Sequence, residues 1–502
     1  MNPANYNLAD SHLSNARLSD SLAVNIRQAC QIFPVGKSFD LITRDLYLGN
    51  TKAWFLGVNG MCKTEVLQEI FSDLQNPTYT RDDTIQDLSR YMASKIGYAQ
   101  TELAEDWHAI VSAVLSGPCV LFVDGFSAAI LLDTRTYPAR GISEPDAERV
   151  TLGARDGFVE TMLFNTNLIR RRIRNPRLTF AIRPVGTDSR TDVAVAYIDG
   201  YVDPDLLQKV LDRLDNMRVT SLTMGSKSLE ELLVRKRWYH PLPSIQQTQR
   251  PDVACSYLTE GNILLLVDNS PAALILPSTV FQFTQSPEDY YKSPVVGSYS
   301  RLLRFLCIFI SLFLLPSFLL LSSYFPDLAD TLSLLPVEET TSGRLFLYTL
   351  FAELALNLFQ YSAAHSPSSY SGSLSIVGGL ILSDVAIDLH WVSLEVMFYA
   401  AATMLASLAL SSTAFAEGIR CYRLLLLFLT GCFGLWGFLA GCVLITLSVV
   451  TTPSFAGKSF FWPLRPFNWQ ALSTLLFRRP TYKAQPSNVW KRERRKDRDG
   501  QS

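Results

Sequence analysis

The feature that most constrains this chain is an apolar run. From Leu302 to Tyr324 the sequence LLRFLCIFISLFLLPSFLLLSSY carries a single charge, Arg304. As a helix, such a run is long enough to cross a bilayer core of about 30 Å. Further apolar segments follow almost to the end, whereas charges crowd before residue 300 and after 477. The overall 48% hydrophobic and 18% charged residues therefore average two unlike halves, and the net charge of −1 says nothing about partners. The expectation is a folded body joined to a membrane domain.

The opening residues, MNPANYNLADSHLSNARLSDS, lack the basic-then-apolar order of a signal peptide, and 1–39 reads as a poorly ordered N-terminus. Arg301 and Arg304 head the first span, and Arg235, Lys236 and Arg237 lie upstream of it. Under the positive-inside rule these place the body in the cytoplasm. The eight cysteines form no CxxC pair and read as small apolar residues rather than disulfides or metal ligands.

The body contains an internal repeat. Gly117–Leu132, GPCVLFVDGFSAAILL, and Gly261–Leu276, GNILLLVDNSPAALIL, match at a shift of 144, each with Asp-Gly or Asp-Asn between two apolar runs. The simplest reading is two α/β (α+β) subdomains, 40–135 and 154–296, joined by a linker at 136–153 and each finishing on a β-hairpin. In the first, a strand is expected at Ala53–Val58, with helices around Thr64–Asp73 and Glu102–Leu115. In the second, a helix is expected over Asp156–Arg174, a strand pair over Leu178–Tyr201, and helices near Pro204–Leu214 and Ser228–Lys236. No phosphate-binding loop follows Gly57-Val58-Asn59-Gly60, and the five histidines show neither metal-ligand spacing nor a nucleophile signature. The expectation is a binding or coupling module: no enzyme, cofactor or metal, and no nucleic-acid partner.

One stretch of the body is rich in charge: Arg155-Asp156-Gly157-Phe158-Val159-Glu160, then Arg170, Arg171, Arg172 and Arg174 at the end of the expected helix. Cations suit a helix C-terminus. Two readings stay open: a solvated, dipole-matched helix end, or a surface where these residues couple to a neighbouring subunit or to anionic lipid head groups.

Expected spans are Leu302–Tyr324, Leu345–Tyr361, Trp391–Leu410 and Tyr422–Val450, with a short re-entrant stretch at Leu374–Leu382. The tail after Phe477 holds nine Lys or Arg against three acids and belongs inside, so 453–502 reads as a basic cytoplasmic tail and four crossings of 297–452 are expected. Arg420 and Arg423 conflict with that count, since four crossings put them outside. Glu353, Asn357 and Gln360 recur on one face of the second span, and Asp384, Asp388 and Glu395 lie further on. They read either as structural polar contacts or as the lining of a cation pathway. Gly437 and Gly441 form a small-xxx-small pattern that lets helices approach closely, here read as packing in an oligomer.

With these motifs in view the chain resembles the GerA family, the A subunits of the spore germinant receptors of endospore-forming bacteria. The resemblance rests on Arg155-Asp156-Gly157-Phe158-Val159-Glu160 with Leu168-Ile169-Arg170-Arg171-Arg172, and on Tyr299-Ser300-Arg301-Leu302-Leu303-Arg304-Phe305. It rests too on Ala352-Glu353-Leu354, on Ser375-Ile376-Val377-Gly378-Gly379, and on Trp462-Pro463-Leu464-Arg465-Pro466-Phe467-Asn468-Trp469. The wording RDGFVE with LIRRRIR is most similar to the stage V sporulation protein AF branch. The resemblance implies a protein of the spore inner membrane with a two-part cytoplasmic body. It also implies a membrane domain that forms a homo-oligomeric channel for monovalent cations and works with other germination subunits in the bilayer; the competing expectation is a non-conducting membrane scaffold. The chain departs from the family pattern at Ala406–Ser411, which lacks a usual proline, and at Ser383-Asp384.

Overall fold

The structure, a computed structural model, describes residues 17–75, 85–136, 148, 153–234, 240–327, 341–365, 387–388, 392–452, 454–455, 460–465 and 467–478. The first lobe holds α1 (Leu22–Ile32), β1 (Leu41–Leu48), β2 (Thr51–Val58), α2 (Thr64–Gln75), α3 (Leu88–Lys95), β3 (Thr101–Ala104), α4 (Trp107–Ser116), β4 (Cys119–Val123) and β5 (Ala129–Leu132). The second holds α5 (Met162–Arg172), β6 (Leu178–Val185), β7 (Thr191–Ile198), α6 (Pro204–Asp215), α7 (Ser226–Leu233), β8 (Gln246–Thr248), α8 (Pro251–Thr259), β9 (Ile263–Val267) and β10 (Ala273–Leu276). Then come α9 (Glu288–Tyr291) and the apolar helices α10 (Pro294–Tyr324), α11 (Ser342–His365), α12 (Leu394–Leu408) and α13 (Thr413–Thr451), before α14 (Trp469–Leu476).

The two lobes repeat one topology. The sheets run β1-β2-β4-β5-β3 and β6-β7-β9-β10-β8, antiparallel throughout. The hairpins match in register at the shift of 144: Cys119 pairs with Leu132, and Ile263 with Leu276. The repeat reaches further than the hairpins, and it corrects the reading of 1–39 as poorly ordered. Residues 17–33 are the first lobe's counterpart of the Gly157–Ile173 segment. Asn25 exchanges two hydrogen bonds with Ser19, as Asn165 does with Val159. Asp124 in the first hairpin accepts from the Leu22 amide (3.0 Å), as Asp268 in the second accepts from that of Met162 (3.3 Å). Leu18, Leu22, Ala29 and Phe33 are buried against the first sheet, an apolar stripe that holds α1 in place. Residues 1–16 lie outside the described residues.

Local chemistry explains a second difference. Glu102 was expected in a helix, but Thr101–Ala104 pairs with β5 and the helix starts only at Trp107. Asp106 marks that start, its carboxylate accepting from the Ala109 amide at 2.7 Å.

Among the described residues two helices, α10 and α13, are long and apolar enough to cross a membrane. The second is not one rod. At Gly434 the backbone leaves helical space (φ 59°, ψ −135°) and the chain turns back. Tyr422 Oη lies 2.7 Å from Ser448 Oγ, although a straight helix would separate the two by about 39 Å. The span expected at Tyr422–Val450 is thus a pair of antiparallel arms, 413–433 and 435–451. Gly437 and Gly441, expected to pack an oligomer, instead pack these arms together. A Cβ at Gly437 would collide with the Leu429 carbonyl, and one at Gly441 with the Leu426 side chain.

The reversal also sets the level of the two arginines. The turn at Gly434 meets Tyr324 at the end of α10, far from the body. The start of α13 lies against the body, with Gly418 on Pro241 and Leu242 and Phe415 stacked on Phe283. The second arm returns there, where Ser448 Oγ contacts His240 Nδ1 at 3.3 Å and Phe455 joins the core of the second lobe. Arg420 and Arg423 therefore lie in the arm that starts at the body rather than on its far side, and Arg478, the start of the basic tail, is held at the body end of α10. The conflict raised by counting 422–450 as a single crossing disappears.

Candidate functional site

Among the described residues, buried charged clusters lie between the lobes, where the body meets the first apolar helix, and inside the helical bundle. The first joins the lobes. Arg170, 1% exposed, donates to Asp40 through Nε (2.9 Å) and to the Leu178 carbonyl through Nη2 (2.9 Å), and lies over the Phe180 ring. Asp40 precedes β1, and Phe180 belongs to β6. Ser38 bridges them, donating to Asp40 and accepting from the Phe180 amide. Arg170 is thus committed inside the chain, which corrects its reading as a subunit-coupling residue. Arg172 pairs with Asp156 at 2.6 Å, while Arg155, Glu160 and Arg171 are exposed.

The second cluster lies where the body meets α10. Asp289, 1% exposed, takes a bidentate pair from Arg304 (3.0 and 2.9 Å) and a longer contact from Arg301 (3.4 Å). Arg301 also donates to the carbonyls of Thr474 and Leu475 at the end of α14, where a cation meets the negative pole of that helix. Arg301 and Arg304, read from sequence as flanking charges, here clamp α9, α10 and α14 together.

The third cluster is inside the helical bundle. Glu353, 2% exposed, receives Arg423 through Nε (3.0 Å) and Nη2 (2.5 Å) and Asn357 Nδ2 at 2.9 Å. Arg423, also 2% exposed, uses Nη1 on the carbonyl and hydroxyl of Ser311 (2.9 and 3.1 Å). Two turns along α11, Gln360 accepts from Arg420 at 2.5 Å. The Glu353, Asn357, Gln360 stripe therefore faces the Arg420, Arg423 edge of α13, while Leu347, Phe351, Leu354 and Leu358 point outward. A carboxylate and a guanidinium in an apolar interior neutralise one another, and the remaining donors find the Ser311 oxygens. Of the other in-membrane candidates, Glu395 is half-buried in the first turn of α12, Asp388 is exposed, and Asp384 lies outside the described residues.

Sequence reasoning missed Asp40, Asp289, Ser311 and the partnership of Arg423 with Glu353. A signal for the last was present: two opposite charges, each stranded in an apolar run, call for each other. Among the described residues no group of three or more His, Cys, Asp or Glu is placed to hold a metal ion.

The fold is thus a duplicated α/β body whose core continues into an apolar, internally ion-paired helical bundle, two of whose helices are long and apolar enough to cross a membrane. The chain belongs to the GerA family: residues 31–488 match the family described as Bacillus/Clostridium GerA spore germination protein. It is 31% identical over 462 residues to the stage V sporulation protein AF of Bacillus subtilis strain 168, covering 92% of this chain and 93% of that protein. Spore germination protein KA of the same organism is 28% identical over 488 residues, covering 95% and 88%. The crystal structure of the N-terminal domain of the A subunit of the Bacillus megaterium spore germinant receptor GerK3 is 23% identical, with a TM-score of 0.40, and covers 52% of this chain and 96% of that one.

Proposed function

We propose that this protein is a multi-pass subunit of a germination complex in the spore inner membrane, with its two-lobed body cytoplasmic. In this reading it assembles with copies of itself and with other germination subunits, and the assembly conducts monovalent cations. The layout that supports the membrane part is the reversal at Gly434, which returns the chain to the body so that body and tail share one side and the number of passes is even. The tail's excess of Lys and Arg makes that side the inside.

The charge that attracts cations is not Glu353. That carboxylate is neutralised by Arg423, and a neutral pair offers a cation little. In this reading the conducting seam between subunits is lined by Glu395, Asp388 and Asp384. Half-buried Glu395, in the first turn of a bundle helix and outside the Glu353 cluster, is the observation that carries the conducting reading.

Potassium efflux from liposomes holding the purified chain with its membrane partners tests this. Efflux should occur and should fall when Glu395→Gln and Asp388→Asn are combined. The second reading, a non-conducting scaffold, is favoured by the ion pair buried inside one chain, which gives the bundle a structural reason for its central charges. Absence of efflux, with the complex intact by size, would establish that reading instead.

A further inference from the structure

At the foot of α10, Pro294, Val295, Ser298, Tyr299 and Leu302 line an open groove of about 390 Å³ whose remaining wall is Arg478. Its floor is apolar and open, with Val295 80% and Tyr299 65% exposed, and the stripe continues up the helix through Leu302, Leu306 and Phe309, all exposed. The wall is basic and fixed. The Arg478 amide donates to Ser298 Oγ at 3.0 Å and its Nη2 to the Tyr290 carbonyl at 2.7 Å, while its Cδ covers Gly297. Its second terminal nitrogen, Nη1, is buried with no hydrogen-bond partner among the described residues, and so is Nη2 of the neighbouring Arg301.

The charges around this groove do not balance. Arg301, Arg304 and Arg478 surround the carboxylate of Asp289 and the backbone of Tyr290, and Glu260 is the second carboxylate whose field reaches Tyr290. Three guanidinium groups against two carboxylates leave one positive charge in surplus, partly out of water, beside a guanidinium nitrogen that lacks an acceptor. An anion completes such a cluster.

Depth identifies the anion's carrier. Ser298, which holds Arg478, lies four residues before Leu302, about 6 Å along the helix. The polar layer of a bilayer is about 5 to 7 Å thick on each side of its core. With Leu302 at the edge of the core, Arg478 stands among the head groups. Tyr299 beside Arg478 and Trp469 at the start of α14 are exposed, as Tyr and Trp are at a membrane interface.

We propose that this groove binds an anionic phospholipid, with its phosphate against the Arg478 side chain and an acyl chain along Leu302, Leu306 and Phe309. The site rests on the reading above that α10 enters a bilayer from its Arg301 end. It would let the lipid composition of the membrane act on the clamp that joins α9, α10 and α14.

The test uses the purified full chain in neutral detergent, titrated with phosphatidylglycerol, phosphatidylcholine or inorganic phosphate. The readouts are the thermal midpoint and native mass spectrometry of retained lipid. Phosphatidylglycerol should be retained and should raise the midpoint; the other two should do neither. Arg478→Gln should weaken phosphatidylglycerol binding about fivefold or more, the share of one interfacial cation. If Arg478→Gln fails to fold, Val295→Glu decides, since it places a negative charge in the groove and leaves the hydrogen bonds of Arg478 intact. Equal retention of phosphatidylcholine overturns the proposal in favour of unspecific annular lipid, and an equal response to inorganic phosphate overturns it in favour of a soluble anion. Unchanged phosphatidylglycerol binding by a folded variant overturns it outright. Failure of the bilayer reading is a different result: carbonate would then strip the wild-type chain from vesicles.

Discussion

Replacing Glu353 by leucine separates a structural lock from a pore lining. In the folded chain Arg423 makes two hydrogen bonds to Glu353 Oε1 and two to the Ser311 oxygens. Glu353→Leu removes the first two and leaves a guanidinium with half its acceptors in an interior where it is 2% exposed. Removing one partner of a buried pair costs about 3 to 5 kcal/mol. For a bundle of this size that is a fall of roughly 6 to 20 °C in the thermal midpoint. Arg423→Leu alone should cost a similar amount, because it strands a carboxylate. The double variant should regain most of the loss, since leucines of similar volume can replace a buried ion pair at little or no cost. The assay is the thermal midpoint of the three purified variants in one detergent. If Glu353→Leu leaves the midpoint within 1 or 2 °C of wild type, or if the double variant is as unstable as the two single losses added, the lock reasoning is refuted. A pore-lining Glu353 predicts a different pattern: unchanged stability with altered conduction.

Gly434→Ala should lower the same midpoint by the equivalent of about 1 to 3 kcal/mol, because its φ of 59° and ψ of −135° suit glycine alone; a neutral result would show that the arms do not reverse there. Arg170→Met should destabilise the body by about 3 to 5 kcal/mol and expose the lobe seam around Asp40 to faster amide exchange, whereas unchanged exchange at 38–41 would exclude a role in joining the lobes. Glu148 holds its proton above the usual carboxylate range, chiefly through burial, against hydrogen bonds from the Gln249 amide and Thr248 Oγ and the charge of Arg250. The folded chain therefore binds that proton more tightly than the unfolded one. The stability it contributes is complete below the ordinary glutamate pKa and is lost as pH rises through the raised folded value. Glu148→Gln should flatten that part of the stability curve, and an unchanged slope would refute the assignment.

Much of the fold was legible because its determinants are close in the chain. The hairpins at 119–132 and 263–276 announce themselves by two apolar runs around a turn, and each strand meets its partner across a few residues. The α/β character of the body and the apolar character of the bundle follow from periodicity and composition alone. What escaped was long in sequence or silent in pattern. Asn25 and Asp124 reveal α1 only once the two lobes are laid on one another, because 17–33 and 157–173 share these hydrogen bonds but little sequence.

The sequence by itself determined that a duplicated body precedes an apolar domain, which charges are stranded there, and, through its motifs, the GerA family. Tertiary structure alone decided what those charges do. Glu353 and Arg423 are 70 residues apart and Asp40 and Arg170 are 130 apart, and no local pattern encodes which distant charge a buried one will meet. The reversal at Gly434 was equally hidden. In a soluble helix a polar turn marks the end, but in an apolar run every residue is compatible with lipid or with packing, so periodicity cannot separate one span from two. Only the close approach of the arms, permitted at Gly437 and Gly441, makes the turn visible and brings Arg423 down to the level of Glu353.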